Sequence, residues 1–521
     1  MISVVFDLAK GYNTVIITTI GTNELQSKNF GVIPESIKLI DTLALNNNAV
    51  FVHLGNPYAL AKLHNISNLQ AILVAYRAND ESQELAAQAV FGGRTIKGRI
   101  PVSACGNILE GAGSDIDHTT RLAYSSATCT GLNPEPLNKI DSIVNKCIAD
   151  KVMPGCQIAF SYKGQIVYNK AFGYHTYDSL QPVQLSDIYD IASVTKVAAT
   201  TTALMMLYDQ KRFKLNDKLS AYVPVIAKSN KKDLKINQIL THQAGLKNWV
   251  PFYQNTFAPD GSLRPDLYSR TKTDKFNIQI SDSLYLNSKY TDTIYSEIAK
   301  SPLGDKKYLY SDLGFYLFPL MIEKLTGMKI DEYCNEKIFK PLGMNNTGYK
   351  PLTRFDTVRI VPSEIDSNWR HDTICGFVND QGAAMLGGVS GHAGLFSNAN
   401  DLAKLCQLWL NGGTYGDVKL FNPGTVKTFT TAPFSGNRRA LGFDKPLVKF
   451  NTNGPTCEKA SQKSFGHSGF TGAYIWIDPE YECFMVFLTN RTYPTSKDNK
   501  LAKLNIRTQI QELFYQAIIK D

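Results

Sequence analysis

Short apolar runs alternate with amphipathic stretches through the first hundred residues. Residues 15–20 (VIITTI), 49–54 (AVFVHL) and 71–76 (AILVAY) are strand-length and mostly apolar, the pattern of strands buried in a parallel sheet. Residues 33–46 and 58–63 between them carry helical spacing. This βαβ rhythm predicts an α/β segment whose parallel sheet is covered on both faces. A polar stretch rich in Gly, Ser and Thr follows and reads as a linker over 106–131. The pattern then turns helical over 137–151, with Leu137, Ile140, Ile143, Val144, Cys147 and Ile148 on one stripe. Three segments are therefore expected: an α/β domain over 1–105, the linker, and a larger domain over 132–521.

Size and composition narrow the classes. A chain of 521 residues exceeds one ordinary core. With 43% hydrophobic and 19% charged residues it has the balance of a folded globular protein. No apolar run approaches the ~20 residues of a membrane helix. The first ten residues are broken by Asp7 and Lys10 and lack a basic leader, so no signal peptide is expected there. The net charge of +9 is scattered rather than striped, which argues against a nucleic-acid face. It fits either a generic basic surface or mild attraction to anionic cell-wall material. Nine cysteines form no CxxC pair and no ligand spacing with histidine, so buried thiols are expected, with no metal and no cofactor.

Three short motifs carry chemistry. Ser193 and Lys196 open a helical pattern that runs on through Leu204 and Leu207. Three residues apart on a helix, a hydroxyl and an ammonium share one face, and the helix start adds positive potential. A serine hydroxyl needs such help, being a weak nucleophile unaided. Tyr310 and Asp312 offer a phenol and a carboxylate two residues apart. Finally His467, Ser468, Gly469 and Phe470 lead through Thr471 and Gly472 into a strand-like run over 473–478.

In this order and context, the three motifs resemble the Ser-x-x-Lys, Tyr-x-Asn and Lys-Thr-Gly elements of the penicillin-binding-protein and β-lactamase superfamily. The resemblance is closest to class C-like serine hydrolases and D,D-peptidases and spans about 132–521. Residues 240–246, 387–397 and 488–491 match as well. It implies an α+β domain, an antiparallel sheet flanked by helices with a mostly helical second lobe and the site between them. It further implies Ser193 as nucleophile, Lys196 and Tyr310 as the proton-transfer groups, and the backbone N–H groups of Ser193 and Phe470 as oxyanion hole. Asp312, His467, Ser468 and Gly469 fall at substrate-binding positions.

Two departures from the family pattern matter. Asp312 stands where Asn is usual, and an ionised carboxylate there favours protonated Lys196, shifting the general-base burden toward Tyr310. His467 replaces Lys, so the positive charge at that position is expected to fade above the ordinary imidazole range. Four further residues read as structural first: His242 near a helix end at Gly245, His392 in a Gly-rich loop (with a site-lining role as the alternative), Asn398 as a helix N-cap, and Arg491 as a surface or salt-bridge residue.

The first segment resembles the C-terminal α/β domain of family 3 glycoside hydrolases, on residues 55–58 (GNPY), 83–93 (QELAAQAVFGG) and 98–103 (GRIPVS). An unrelated flavodoxin-like module fits the same pattern. In that family the nucleophilic aspartate sits on a preceding barrel. The resemblance therefore implies a non-catalytic, partial domain whose glycosidase barrel is missing from this chain. Together the two resemblances imply an acyl-enzyme hydrolase acting on peptides or muropeptides, of D,D-carboxypeptidase or N-acetylmuramoyl-L-alanine amidase type, in the cell envelope or periplasm. A carboxylesterase, a silent cell-wall-binding module, and a fragment of a β-N-acetylglucosaminidase fusion remain as alternatives.

Overall fold

The computed structural model describes residues 2–452 and 454–518. They form two compact units, divided between Tyr124 and Ser125.

In the first unit, β1 (Val15–Thr19), β2 (Ala49–His53) and β3 (Ala71–Val74) pair in parallel in the order β1-β2-β3. The crossover from β1 to β2 contains α1 (Pro34–Asn46), and α2 (Asp80–Val90) follows β3. Both helices start where the chain supplies a terminus. Pro34 occupies the first turn of α1, and the Asn79 side chain accepts a hydrogen bond from the Ser82 amide ahead of α2. Period-2 alternation sorts the side chains. Ile17, Phe51 and Ile72 join Ile37 and Ile40 of α1 on one face, while Val52 and Leu73 meet Ala86 of α2 on the other. The sheet is α/β and parallel, as the pattern predicts, but it is not covered on both faces throughout. Ile16 of β1 is 44% exposed, on the face where α2 packs against Val52 of β2 and Leu73 of β3. The segment read as linker straddles the boundary between the units. Its first part folds back, with Ile108, Ala112 and Ile116 hydrogen-bonded to Ala104, Ile100 and Ile96.

The second unit is α+β. Its α3 (Pro134–Ala149) is capped by the Asn133 side chain and leads into β4 (Gly155–Tyr162) and β5 (Gln165–Gly173). The chain then passes through α4 (Thr202–Asp209), α5 (Leu313–Thr326) and α6 (Ala399–Leu410) before returning as β6 (Phe465–Ser468), β7 (Tyr474–Asp478), β8 (Cys483–Thr489) and α7 (Ile506–Ile518). These strands pair antiparallel in the order β6-β7-β8-β4-β5. β7 and β8 are buried along their full length, since helices cover both faces. α3 and α7 pack on one through Ile140, Val144, Ile510 and Phe514, and α6 lies against β4, β7 and β8 on the other. The Asn398 side chain caps α6 at 2.9 Å from the Asp401 amide, as its sequence position predicts.

A buried glutamine pins the sheet to the lobe that carries the site. Gln157 of β4 donates to the Gln184 and Asp187 carbonyls at 2.7 and 2.9 Å and accepts from the Ala399 amide at 2.9 Å. Six of the nine cysteines are buried and all nine are free thiols. The Phe514 and Phe160 rings stack at 4.0 Å with an interplanar angle of 12° at the centre of the helix-to-sheet core. Phe514→Ala should therefore lower the unfolding free energy of this unit by about 3–5 kcal/mol. Urea unfolding followed by far-ultraviolet circular dichroism checks this, and a loss below about 1 kcal/mol would show that the core does not depend on the pair.

Candidate active site

The turn that presents Ser193 is strained and held from two sides. Ala192 sits at φ 45°, a left-handed conformation that is costly for a residue with a side chain. The Asp190 carboxylate, buried behind it, accepts from the Ala192 amide at 2.8 Å and from the Asn379 amide at 2.7 Å. Gly469 closes the other side: a Cβ there would lie 2.5 Å from the Ile191 carbonyl oxygen, so only glycine lets the β6 segment approach the turn this closely. The expected helix around Ser193 begins differently from a regular one. Ala192–Val194 is a 3₁₀ turn and Lys196–Thr201 a π-helical turn, before α4 proper. Threonines supply the physical reason: Thr202 Oγ1 donates to the Val197 carbonyl at 2.7 Å and Thr200 Oγ1 to the Gly391 carbonyl at 2.7 Å. Such local π turns are frequent at functional sites.

Lys196 is fully buried. Its Nζ donates to Ser193 Oγ at 2.8 Å and to the His392 carbonyl at 3.1 Å, and pairs with Asp312 Oδ1 at 2.7 Å. Burial works against the charged form, but the Asp312 carboxylate and the Tyr310 phenol outweigh it and hold the pKa above the ordinary lysine value. Lys196 is thus an ammonium. Burial pushes the Tyr310 phenol up; Lys196 and Ser193 pull it down, and Asp312 pushes it up again.

The Gly-rich loop over 387–397 delivers the His392 carbonyl. Pro319 in α5 has no N–H to give to the Phe315 carbonyl one turn earlier. Gly391 takes up the opening, and a Cβ on it would lie 2.3 Å from the Phe315 oxygen. The His392 side chain anchors the loop, with Nδ1 2.8 Å from Ser390 Oγ and Nε2 2.8 Å from Asp380 Oδ1, while its ring stacks on Tyr316 at 3.9 Å. The pairing holds the Asp380 carboxyl down at about 2 against the effect of burial. His392 therefore contributes through its backbone, and its ring is structural.

A cavity of about 790 Å³ brings together Ser193, Tyr310, Asp312, His467, Ser468, Gly469 and Phe470. Phe470 follows β6 in a tight turn closed by the Gly469 amide donating to Ala473 and the Gly472 amide to Gly469. Among the described residues its own N–H has no acceptor, as an oxyanion donor requires.

The expected pH-dependent charge at His467 is corrected by the structure. His467 is 2% exposed. Burial, then the positive charges of Arg439 and Lys196, hold its pKa well below the ordinary imidazole value despite the Ser468 carbonyl. Its Nδ1 lies 2.8 Å from that carbonyl, which leaves Nε2 as a buried, unpartnered acceptor. His242 is likewise neutral: its Nδ1 accepts from the Ser311 amide at 3.1 Å, and it is His242, at φ 56°, that terminates the preceding helix ahead of Gly245.

A further permanent cation at the site is Arg439, which sequence reasoning missed. It is 5% exposed, lies 5.2 Å from the Tyr310 ring centroid and carries a buried Nη1 with no partner. Only the Arg438–Arg439 pair marks it in the chain, and nothing local ties it to the motifs. Arg491 is also corrected. It lines the cavity and donates from Nε to the Phe470 carbonyl at 2.8 Å, with its guanidinium 4.4 Å from the Phe470 ring.

The Beta-lactamase family model matches residues 140–509. The chain belongs to this family, and it is a serine hydrolase. It is 33% identical to a putative D-alanyl-D-alanine carboxypeptidase of Escherichia coli K12, over 72% of this chain and 87% of that one. Its fold is similar to that of an octameric penicillin-binding protein homologue from Pyrococcus abyssi, with a TM-score of 0.51 at 20% identity, covering 70% of this chain and 75% of the other. A class C β-lactamase from Rhodobacter sphaeroides gives a TM-score of 0.52 at 16% identity, with 73% and 99% covered.

Asp312 raises the pKa of both Lys196 and Tyr310. Asp312→Asn should therefore lower both, whichever group takes the serine proton, and move the rise of kcat/KM with pH to lower pH. Hydrolysis of p-nitrophenyl acetate followed from pH 5 to 10 checks this; a profile that stays in place or moves upward would contradict it.

Proposed function

We propose that this protein is a D,D-carboxypeptidase in which Ser193 is the nucleophile. The observation that carries the reading is the 2.8 Å contact between Lys196 Nζ and Ser193 Oγ in a buried site. Ser193 Oγ attacks the carbonyl carbon of the penultimate D-alanine while its proton passes to the oxygen of deprotonated Tyr310. Burial and Asp312 hold that phenol above its ordinary pKa although the Lys196 ammonium pulls it down, so the active form grows as pH rises. The oxygen that becomes negative is met by the N–H groups of Ser193 and Phe470, a contribution of about 3–4 kcal/mol per donor in enzymes of known energetics. Tyr310 returns the proton to the departing amine, the Ser193 ester forms, and water then releases the acyl group by the same proton path. Ser468 and Gly469 guide the peptide along the cavity, and the neutral His467 offers its Nε2 to a donor on it.

A carboxypeptidase must recognise a free terminal carboxylate. Arg439 fits that role: Nη2 pairs with Asp444 at 3.3 Å, but Nη1 has no partner, and the guanidinium lines the cavity beside His467 and Tyr310. The residues of the first unit are proposed to be a non-catalytic family 3 glycoside hydrolase-like domain over 1–105, supported by the GNPY and GRIPVS segments and the parallel β1-β2-β3 sheet. The catalytic domain then spans 132–521.

The purified protein should release D-alanine from N-acylated D-alanyl-D-alanine peptides and lose most of that activity on the same peptides with an amidated C-terminus. Arg439→Gln should raise KM for the free acid about 10- to 100-fold, matching the loss of a charge-assisted hydrogen bond, and narrow the gap between acid and amide. Equal turnover of acid and amide, or turnover of simple esters with no release of D-alanine, would favour the carboxylesterase reading.

A further inference from the structure

Arg439 is not the only guanidinium on this cavity. Arg491 and Arg507 line it as well, with Ser496 and Asn499 beside them. Arg491 donates to the Phe470 carbonyl from Nε and to the Ser496 carbonyl, at 3.3 Å, from Nη1, which leaves Nη2 without an acceptor among the described residues. Arg507 makes one long contact, from Nη1 to the Ala473 carbonyl at 3.5 Å, and lies 5.5 Å from the Tyr474 ring. Among the described residues, no carboxylate lies within 4.0 Å of either group. The nearest acid on the cavity wall, Glu364, is occupied: Oε1 accepts from the amide and hydroxyl of Ser496 and Oε2 from Asn379 Nδ2. Burial, then repulsion from Arg507, pushes Arg491 down to about 10 even with Glu364 nearby. Two like charges set close together on a cavity wall, with donors unspent, are arranged for an anion.

We propose that Arg491 and Arg507 form a second anion subsite, which binds a carboxylate on the acyl portion of the substrate. The assignment rests on the acyl-transfer reading of the site, and the order of groups along the β6 segment gives the direction. Arg439 stands by His467, the oxyanion donor is the Phe470 amide, and Arg491 holds the Phe470 carbonyl. With the leaving group's carboxylate at Arg439 and the scissile carbonyl at Phe470, the acyl portion extends toward Arg491 and Arg507. The preferred substrates are then peptides acidic on both sides of the cleaved bond.

The test uses p-nitrophenyl monoesters of adipic and suberic acid beside the corresponding esters ending in a carboxamide, read by release of p-nitrophenolate. D-alanine release plays no part, so failure of the carboxypeptidase reading and failure of this subsite are distinguishable. At low salt the wild-type protein should show a KM at least about tenfold lower for the acid than for the amide with one of the two chain lengths. That preference should shrink as salt is raised. Arg507→Gln should bring the acid-to-amide ratio close to one, and Arg507→Lys should restore most of the preference. Absence of an acid preference in the wild-type protein at both chain lengths overturns the proposal, whatever the variants do. So does a preference that survives in a folded Arg507→Gln protein.

Discussion

The active site depends on keeping one ammonium group, that of Lys196, out of water. An isolated buried charge is too costly to persist, and here it is matched by one carboxylate, one hydroxyl and one carbonyl, from Asp312, Ser193 and His392. Each partner comes from a different part of the chain, and each is positioned by its own local device. Asp312 stands at the start of α5, Ser193 on the strained turn after Asp190, and His392 on a loop that docks where Pro319 interrupts α5. Removing any one partner would leave the lysine under-compensated, which ties the integrity of the lobe to the chemistry of the site.

The same charge orders its surroundings. Burial first, then the positive charges of Arg439 and Lys196, holds the two nearby imidazoles, His242 and His467, neutral. The site thus separates fixed charge from hydrogen-bonding capacity: arginine and lysine carry the former, neutral histidine and backbone amides the latter. His467 is neutral, and Arg439, from a segment outside the three motifs, adds a second permanent charge to that of Lys196.

What could be read from the sequence follows from how local each feature is. Ser193 and Lys196 are legible because three residues along a helix set their distance, and β7 because its strand-like run directly follows the third motif. The π turn over Lys196–Thr201 is not legible, since it depends on Thr200 reaching a carbonyl nearly two hundred residues away. The protonation of His467 is equally hidden: spacing shows an imidazole in the motif, whereas its charge is decided by burial and by Arg439. Arg491 reads as a surface residue because basic residues after strands usually are, and only the folded turn at Phe470 reveals its acceptor. In the first unit the βαβ order was plain, while the open face of β1 depends on where α2 lies.

The central claim is that the ammonium-bound hydroxyl of Ser193 is the group that becomes acylated. Reaction with a fluorophosphonate, followed by peptide mapping by mass spectrometry, tests it most directly. The account predicts one adduct, on the peptide containing Ser193, and none in a folded Ser193→Ala protein. An adduct on any other residue, or undiminished labelling of Ser193→Ala, would contradict it.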